Sequence, residues 1–249
     1  MSGHSKWSSI KHKKALVDAR RGKTFTKLIR ELTSAAKAGG GSAETNPRLR
    51  TAVAAAKTAN MPADTISRAI KKGTGELPGE VYEEVTYEGY GAGGVAVLVD
   101  VLTDNRNRTV AEVRHLFAKH GGNLGESGCV AWMFGRIGLI TLDVNQLPED
   151  ELFELVLELG GDDVKIEGDI YEIRTTPDAF EDVRAALEAR GLKLEVAEIT
   201  MLPQNTVAVE GKQAEQVVRL MEALDDHDDV RKAYANFDIP DTVLAALAS

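Results

Sequence analysis

RIGLITLDVNQLPEDELFELVLELGGDDVKIEGDIYEIRTTPDAFEDVRAALEARGLKLEVAEITMLP, residues 136–203, carries the pattern that sets the architecture. Ile137–Val144 reads as a strand and Glu149–Leu159 as a helix at 3.6-residue spacing. Val164–Glu167 and Ile170–Thr175 form a hairpin turning at Gly168-Asp169. Asp178–Arg190 reads as a second helix and Leu192–Leu202 as a last strand. The order β-α-β-β-α-β is the ferredoxin-like split βαβ unit.

The flanks of that unit belong together. On its N-terminal side, Val81–Tyr90 and Val95–Thr103 read as strands, the second so apolar that it belongs in the middle of a sheet. A helix over Thr109–His120 follows, closed by Gly121-Gly122-Asn123, and Val130–Phe134 reads as a strand. On the C-terminal side, Thr206–Glu210, Ala214–Leu224 and Val230–Phe237 read as strand, helix and strand that complete the same sheet. The expectation is an α+β multidomain chain. A ferredoxin-like domain (136–203) is inserted into a discontinuous α+β domain (77–135 and 204–249), and a helical domain (1–76) precedes both.

The helical part is punctuated clearly. Residues 8–21 read as a short basic helix or a helix-forming arm, ending at Gly22. The next helix starts near Thr24 and carries Phe25, Leu28, Ile29, Leu32, Ala35 and Ala36 on one face. Gly39-Gly40-Gly41-Ser42 ends it. Asn46-Pro47 opens another, Asn as N-cap and Pro at the first helical position. Asn60-Met61-Pro62 opens the last, which Lys71-Lys72-Gly73 stops.

Charge divides the chain at the same boundary. Residues 1–75 hold 16 Lys/Arg against 4 Asp/Glu, while the other 174 hold 14 against 35. A basic module on an acidic body points to a polyanion partner, and nucleic acid is the one expected. In the opening arm, Lys and Arg suit phosphates, and Trp7 suits an exposed base. The nucleic-acid-binding candidates are Lys6, Trp7, Lys11, Lys13, Lys14, Arg20, Arg21, Lys23, Lys27, Arg30, Arg48 and Arg50, with Arg106 and Arg108 further on. For Arg106 and Arg108, between a strand and a helix, two readings stand: an anion site at a helix start, or a capped loop whose arginines pair with local carboxylates.

Other chemistry finds no support. Gly89-Tyr-Gly91-Ala-Gly93-Gly94 spells G-x-G-x-x-G, but a strand follows where the dinucleotide fold needs a helix, so it reads as a hairpin turn. Gly22-Lys23-Thr24 lacks the first glycine and the strand of a P-loop. The five histidines show no metal-ligand spacing, and no catalytic constellation assembles. The acidic run Asp225–Asp229 reads as a solvated turn. The single cysteine, Cys129, excludes an intrachain disulfide and reads as a small core residue. No apolar run approaches the roughly 20 residues of a membrane span, and no apolar segment follows the basic N-terminus as in a secretory signal. The expected location is the cytoplasm, with no cofactor, no metal and no membrane contact, and with protein contacts through the acidic domains.

Several motifs resemble one family. Met1-Ser-Gly-His-Ser-Lys-Trp7, Asn46-Pro-Arg-Leu-Arg50, Asn60-Met-Pro62 and Arg68-Ala-Ile-Lys-Lys-Gly73 are similar to the YebC/PmpR pattern. So are Tyr87-Glu-Gly-Tyr-Gly91, Leu102-Thr-Asp-Asn-Arg-Asn-Arg-Thr109, Lys119-His-Gly-Gly-Asn-Leu-Gly125 and Val130-Ala-Trp-Met-Phe134. The match is densest through residue 134; Cys129 and Gly135 stand where the family pattern has Ser and an acidic residue. The resemblance implies three domains with the ferredoxin-like one inserted, and a non-enzymatic cytoplasmic regulator of gene expression. It implies either a transcriptional regulator that binds DNA or a translation factor that binds ribosomal RNA and relieves stalls at proline-rich stretches.

Overall fold

A computed structural model describes residues 21–240. Helices α1 (Arg21–Gly39), α2 (Pro47–Thr58) and α3 (Ala63–Gly73) form the helical part. Their core is Leu32, Ala35, Ala36, Leu49, Ala52, Ala56, Met61, Ile66 and Ala69, with Phe25, Leu28 and Ile29 against it. The helix expected to start near Thr24 starts at Arg21 and takes in Gly22, because the apolar stripe of its next turns outweighs roughly 1 kcal/mol of glycine helix penalty. The short basic helix expected before it lies, but for Arg21, outside the described residues. Asn46 is buried and does two jobs. Its Oδ1 accepts the Leu49 amide at 3.1 Å, capping α2, while its Nδ2 donates to the Ala35 and Gly40 carbonyls at 2.8 and 2.9 Å. At Gly73 a Cβ would meet the Thr33 carbonyl oxygen at 2.3 Å, so only glycine lets α3 approach α1 there.

The central sheet has strand order β3-β1-β2-β9, from β1 (Glu83–Tyr90), β2 (Ala96–Thr103), β3 (Asn123–Leu124) and β9 (Val230–Ala235), all antiparallel. The glycine-rich stretch after Tyr90 is the β1–β2 connection, where Gly93 takes φ 71°. Helices α4 (Arg106–Lys119) and α7 (Gly211–Asp226) cover one face through Val113, Phe117, Val217, Leu220, Met221 and Leu224. Ala96 and Leu98 of β2 face the other way, onto Val130, Phe134 and Tyr234. A short parallel pair, β8 (Val207–Ala208) with β10 (Phe237–Asp238), closes the end.

The second sheet has order β7-β4-β6-β5, all antiparallel: β4 (Phe134–Asp143), β5 (Gly161–Glu167), β6 (Ile170–Thr175) and β7 (Leu194–Pro203). Parallel β4 and β5 are thus split by β6, as the ferredoxin-like pattern requires. Helices α5 (Glu149–Glu158) and α6 (Phe180–Ala189) cover one face with Leu152, Leu155, Val156, Phe180, Val183 and Leu187. Phe134 pairs with Pro203, so the chain leaves the central sheet and returns to it on neighbouring strands.

One expected strand is absent. Residues 131–133 form a 3-10 turn and β4 begins at Phe134. The cause is Glu88, 4% exposed, whose carboxylate accepts the amides of Gly128, Val130 and Ala131 at 2.6, 2.8 and 2.7 Å. Amides pointed at a carboxylate are lost to a strand ladder.

Candidate nucleic-acid interface

Lys23, Lys27 and Arg30 follow one another along α1 at spacings of four and three, which puts them on one face. That face is turned inward, onto the acidic run. Lys23 Nζ donates to the Asp226 carbonyl at 3.3 Å, Lys27 Nζ to the Asp225 carbonyl at 2.5 Å, and Arg30 Nη1 to the Asp228 carbonyl at 2.7 Å. Asp225 and Asp226 are the last residues of α7, where unpaired carbonyls concentrate negative charge. Lys23 and Lys27 of one helix therefore cap the C-terminal end of another, and Arg30 holds the turn that follows it.

Asp229 is the centre of this contact. It is 3% exposed. Its Oδ1 pairs with Arg30, and its Oδ2 accepts Arg108 Nη2 at 2.8 Å, Thr109 Oγ1 at 2.6 Å and Thr103 Oγ1 at 3.1 Å. Burial pushes this carboxyl up, but the Thr109 and Arg108 hydrogen bonds and the Arg30 charge outweigh it and hold it at about 2. The Arg30 guanidinium also lies 5.6 Å from the Tyr82 ring centroid. The expected solvated turn is thus a docking point with Asp229 buried at its centre, because α1 brings its cations to it from about 200 residues away.

A second ionic cluster ties the same parts together. Arg48 Nε meets Glu31 at 2.7 Å and its Nη1 meets Glu84 at 2.5 Å; Arg231 reaches Glu31, Glu84 and Asp100 at 3.5–3.7 Å. The Glu31 and Glu84 hydrogen bonds outweigh the burial of the Arg48 guanidinium and raise its pKa further above the ordinary arginine range.

The remaining candidates are placed as follows. Arg50 is exposed and donates to the Ala43 and Glu44 carbonyls at 3.3 and 3.4 Å. Arg106 and Arg108 occupy the first turn of α4, which starts three residues before the expected Thr109 because Asn105 Oδ1 caps it on the Arg108 amide at 3.1 Å. Arg108 also meets Asp104 at 2.7 Å, so its local-carboxylate reading describes it. Arg106 is exposed, and its carbonyl accepts the Tyr87 hydroxyl at 3.4 Å. Arg21 opens α1. Lys6, Trp7, Lys11, Lys13, Lys14 and Arg20 lie outside the described residues.

What the candidate set omitted is the outer face of the helical part. Lys37, Lys57, Arg68, Lys71 and Lys72 are exposed and form no ion pair among the described residues. Arg68, Lys71 and Lys72 share one face of α3 by spacing, as do Arg50 and Lys57 on α2. The signal for them was the charge excess of the first 75 residues, which did not say which cations would be consumed internally.

Two groups able to do chemistry are already engaged. Burial, then the Glu88 charge, pushes the Cys129 thiol up, opposite to nucleophile activation. Glu112, His227 and Asp229 bring ligand atoms within 4.8 Å of one another. Yet His227 Nδ1 accepts the Asp229 amide at 3.1 Å, and its Nε2 is bonded to Glu112 at 2.9 Å.

The chain resembles known proteins along its length. Residues 5–76 match the TACO1/YebC protein N-terminal domain, and residues 82–237 match the TACO1/YebC second and third domain. A probable transcriptional regulatory protein of Desulforapulum autotrophicum is 61% identical over 247 residues, covering 99% of this chain and all of the relative. One of Syntrophobacter fumaroxidans is 61% identical over 249 residues, covering both completely. The crystal structure of a conserved hypothetical protein from Aquifex aeolicus superposes with a TM-score of 0.81 at 51% identity, covering 92% of this chain and 94% of that one. With both halves of the family pattern matched end to end and the fold shared, the chain belongs to the TACO1/YebC family.

Proposed function

We propose that this protein is a non-enzymatic, cytoplasmic regulator of gene expression that binds nucleic acid through its helical part, acting as a DNA-binding transcriptional regulator. The observation that carries this reading is the division of labour among its cations. Lys23, Lys27, Arg30 and Arg48 hold the helical part on the central sheet, while Lys57 of α2 and Arg68, Lys71 and Lys72 of α3 form no ion pair among the described residues. Unpaired cations on neighbouring helices suit a phosphate backbone, and the arm with Lys6, Trp7, Lys11, Lys13, Lys14 and Arg20 extends the basic region in sequence. The names of the curated relatives agree with a regulator. Among the described residues, no helix is long and apolar enough to cross a membrane.

A ribosome-associated translation factor, binding ribosomal RNA and relieving stalls at proline-rich stretches, is the second reading. It draws support from α3, whose exposed side chains include Asp64, Ser67, Arg68, Lys71 and Lys72 but no Asn or Gln to read adenine edges. Such a face suits recognition by shape and backbone.

One experiment addresses both. Replacing Arg68, Lys71 and Lys72 by Ala is expected to weaken binding and to flatten the log–log salt slope on duplex DNA by about 2 to 3. Parallel ribosome pelleting of the wild type and the variant tells which polyanion is the target. An unchanged slope and unchanged pelleting in the folded variant would remove these helices from the interface.

A further inference from the structure

Among the described residues, five large apolar side chains stand well out into solvent, and three of them belong to one layer of the second sheet. Phe153 and Leu157 of α5 are 45% and 53% exposed, and Ile166 of β5 is 48% exposed. Phe153 and Leu157 are four residues apart, so they stack along a flank of α5 beside the buried stripe of Leu152, Leu155 and Val156. Helix α5 packs on β5, where a Cβ at Gly161 would meet Val156 at 2.2 Å. Ile166 lies two residues beyond Val164, which packs into the core under α5, so it shares the helix-covered face of the sheet. A lone exposed Leu is unremarkable; a Phe, a Leu and an Ile exposed on one helix–strand pair form a local apolar surface.

Its surroundings are one-signed. Residues 149–163 contain seven Asp/Glu and no Lys/Arg. Glu149, Asp150, Glu151, Glu154 and Glu158 are exposed and make no ion pair among the described residues. By helical spacing, Asp150 and Glu154 border the Phe153–Leu157 flank directly. The whole stretch 136–203 carries six Lys/Arg against seventeen Asp/Glu, so nucleic acid and anionic lipid are repelled from it. Strand addition at the free edge of β5 is disfavoured too. The edge is broken by a register shift between Gly161 and Asp163, and it carries Asp162, Asp163 and Lys165. What complements an apolar flank rimmed by unpaired carboxylates is a helix with apolar residues along one side and Lys/Arg beside them.

We propose that the α5–β5 face is a docking surface for a protein partner that presents a cationic amphipathic helix. Phe153, Leu157 and Ile166 receive its apolar side chains, and the carboxylates of α5 pair with its cations.

The test uses the full chain and two fluorescent 18-residue Leu/Lys peptides of one composition. One segregates Leu to a single helix face and the other spreads it around the helix. The amphipathic peptide is expected to bind with micromolar affinity and the spread one about tenfold more weakly. Phe153→Ser with Leu157→Ser should cost about tenfold for the amphipathic peptide only. Asp150→Asn with Glu154→Gln and Glu158→Gln should cost about tenfold and flatten the salt dependence. The altered side chains are exposed, so the thermal midpoint should hold, and duplex DNA binding in the same variants should be unchanged. Equal binding of both peptides, or indifference to the Phe153/Leu157 variant, would reduce the face to bulk charge attraction and overturn the proposal. Sedimentation showing a dimer that the same double variant dissolves would overturn it in favour of a second copy as the occupant.

Discussion

Asp229 gathers two arginines and two threonine hydroxyls around one buried carboxylate. Its folded pKa of about 2 against an ordinary 3.8 makes it a depressed carboxyl. The stabilisation is full above the ordinary value and is lost as pH falls from about 4 to about 2, an effect of about 2 kcal/mol. Urea unfolding followed across that pH window should show the loss, and Asp229→Asn should abolish it. At neutral pH, Asp229→Ala is expected to cost about 3 kcal/mol, because Arg30 loses its counter-charge and Thr103 and Thr109 lose their acceptor, while Arg108 keeps only Asp104. A double-mutant cycle with Arg30→Ala should recover part of that cost. At Thr141 the sign reverses. Its hydroxyl is buried with no hydrogen-bond partner among the described residues, so Thr141→Val is expected to stabilise by about 1 kcal/mol in the same assay.

At the scale of elements, the turn through Ala131–Met133 depends on Glu88. Burial pushes the Glu88 carboxyl up, yet the amides of Gly128, Val130 and Ala131 bring it below its ordinary value. Glu88→Ala should cost about 2–3 kcal/mol and free residues 126–131. The emission of Trp132, 64% exposed and tied by its indole N–H to the Cys129 carbonyl at 3.2 Å, is the readout, with Trp7 replaced by Phe to leave one indole. This turn also marks where sequence reading runs out. The helices and the split βαβ order were legible because their signals are local: apolar periodicity, the Asn46-Pro47 cap, the glycine stops. The apolar Val130–Phe134 run looks like a strand because nothing nearby reveals a carboxylate 40 residues away. Likewise, Asp225–Asp229 looks solvated until α1 is folded against it. Charge counting found the basic region but could not separate its docking cations from its outward ones, since both kinds lie on the same helices.

For the whole molecule, the helical part is joined to the central sheet by cations on carbonyls and carboxylates, so its docking should be more salt-sensitive than the sheets themselves. A fluorophore pair on α2 and α7 is expected to move apart with rising salt before far-UV circular dichroism changes, and to separate at lower salt in Arg48→Ala. A fragment of residues 134–203 should unfold cooperatively by itself, given its own core beneath α5 and α6; a non-cooperative melt would tie it to the central sheet. The pairing of Phe134 with Pro203 also has a kinetic consequence. To the central sheet, everything between those two residues is a single connection, and closing it as a floppy loop would cost conformational entropy that grows with the logarithm of its length. Once β4 and β7 are paired, the two ends already lie side by side and that cost has been met elsewhere. Assembly should therefore be ordered in time, the interruption condensing first and the host closing around it. Weakening Val183 or Leu187, far from the central sheet, should then slow the host's refolding while scarcely changing how fast it comes apart.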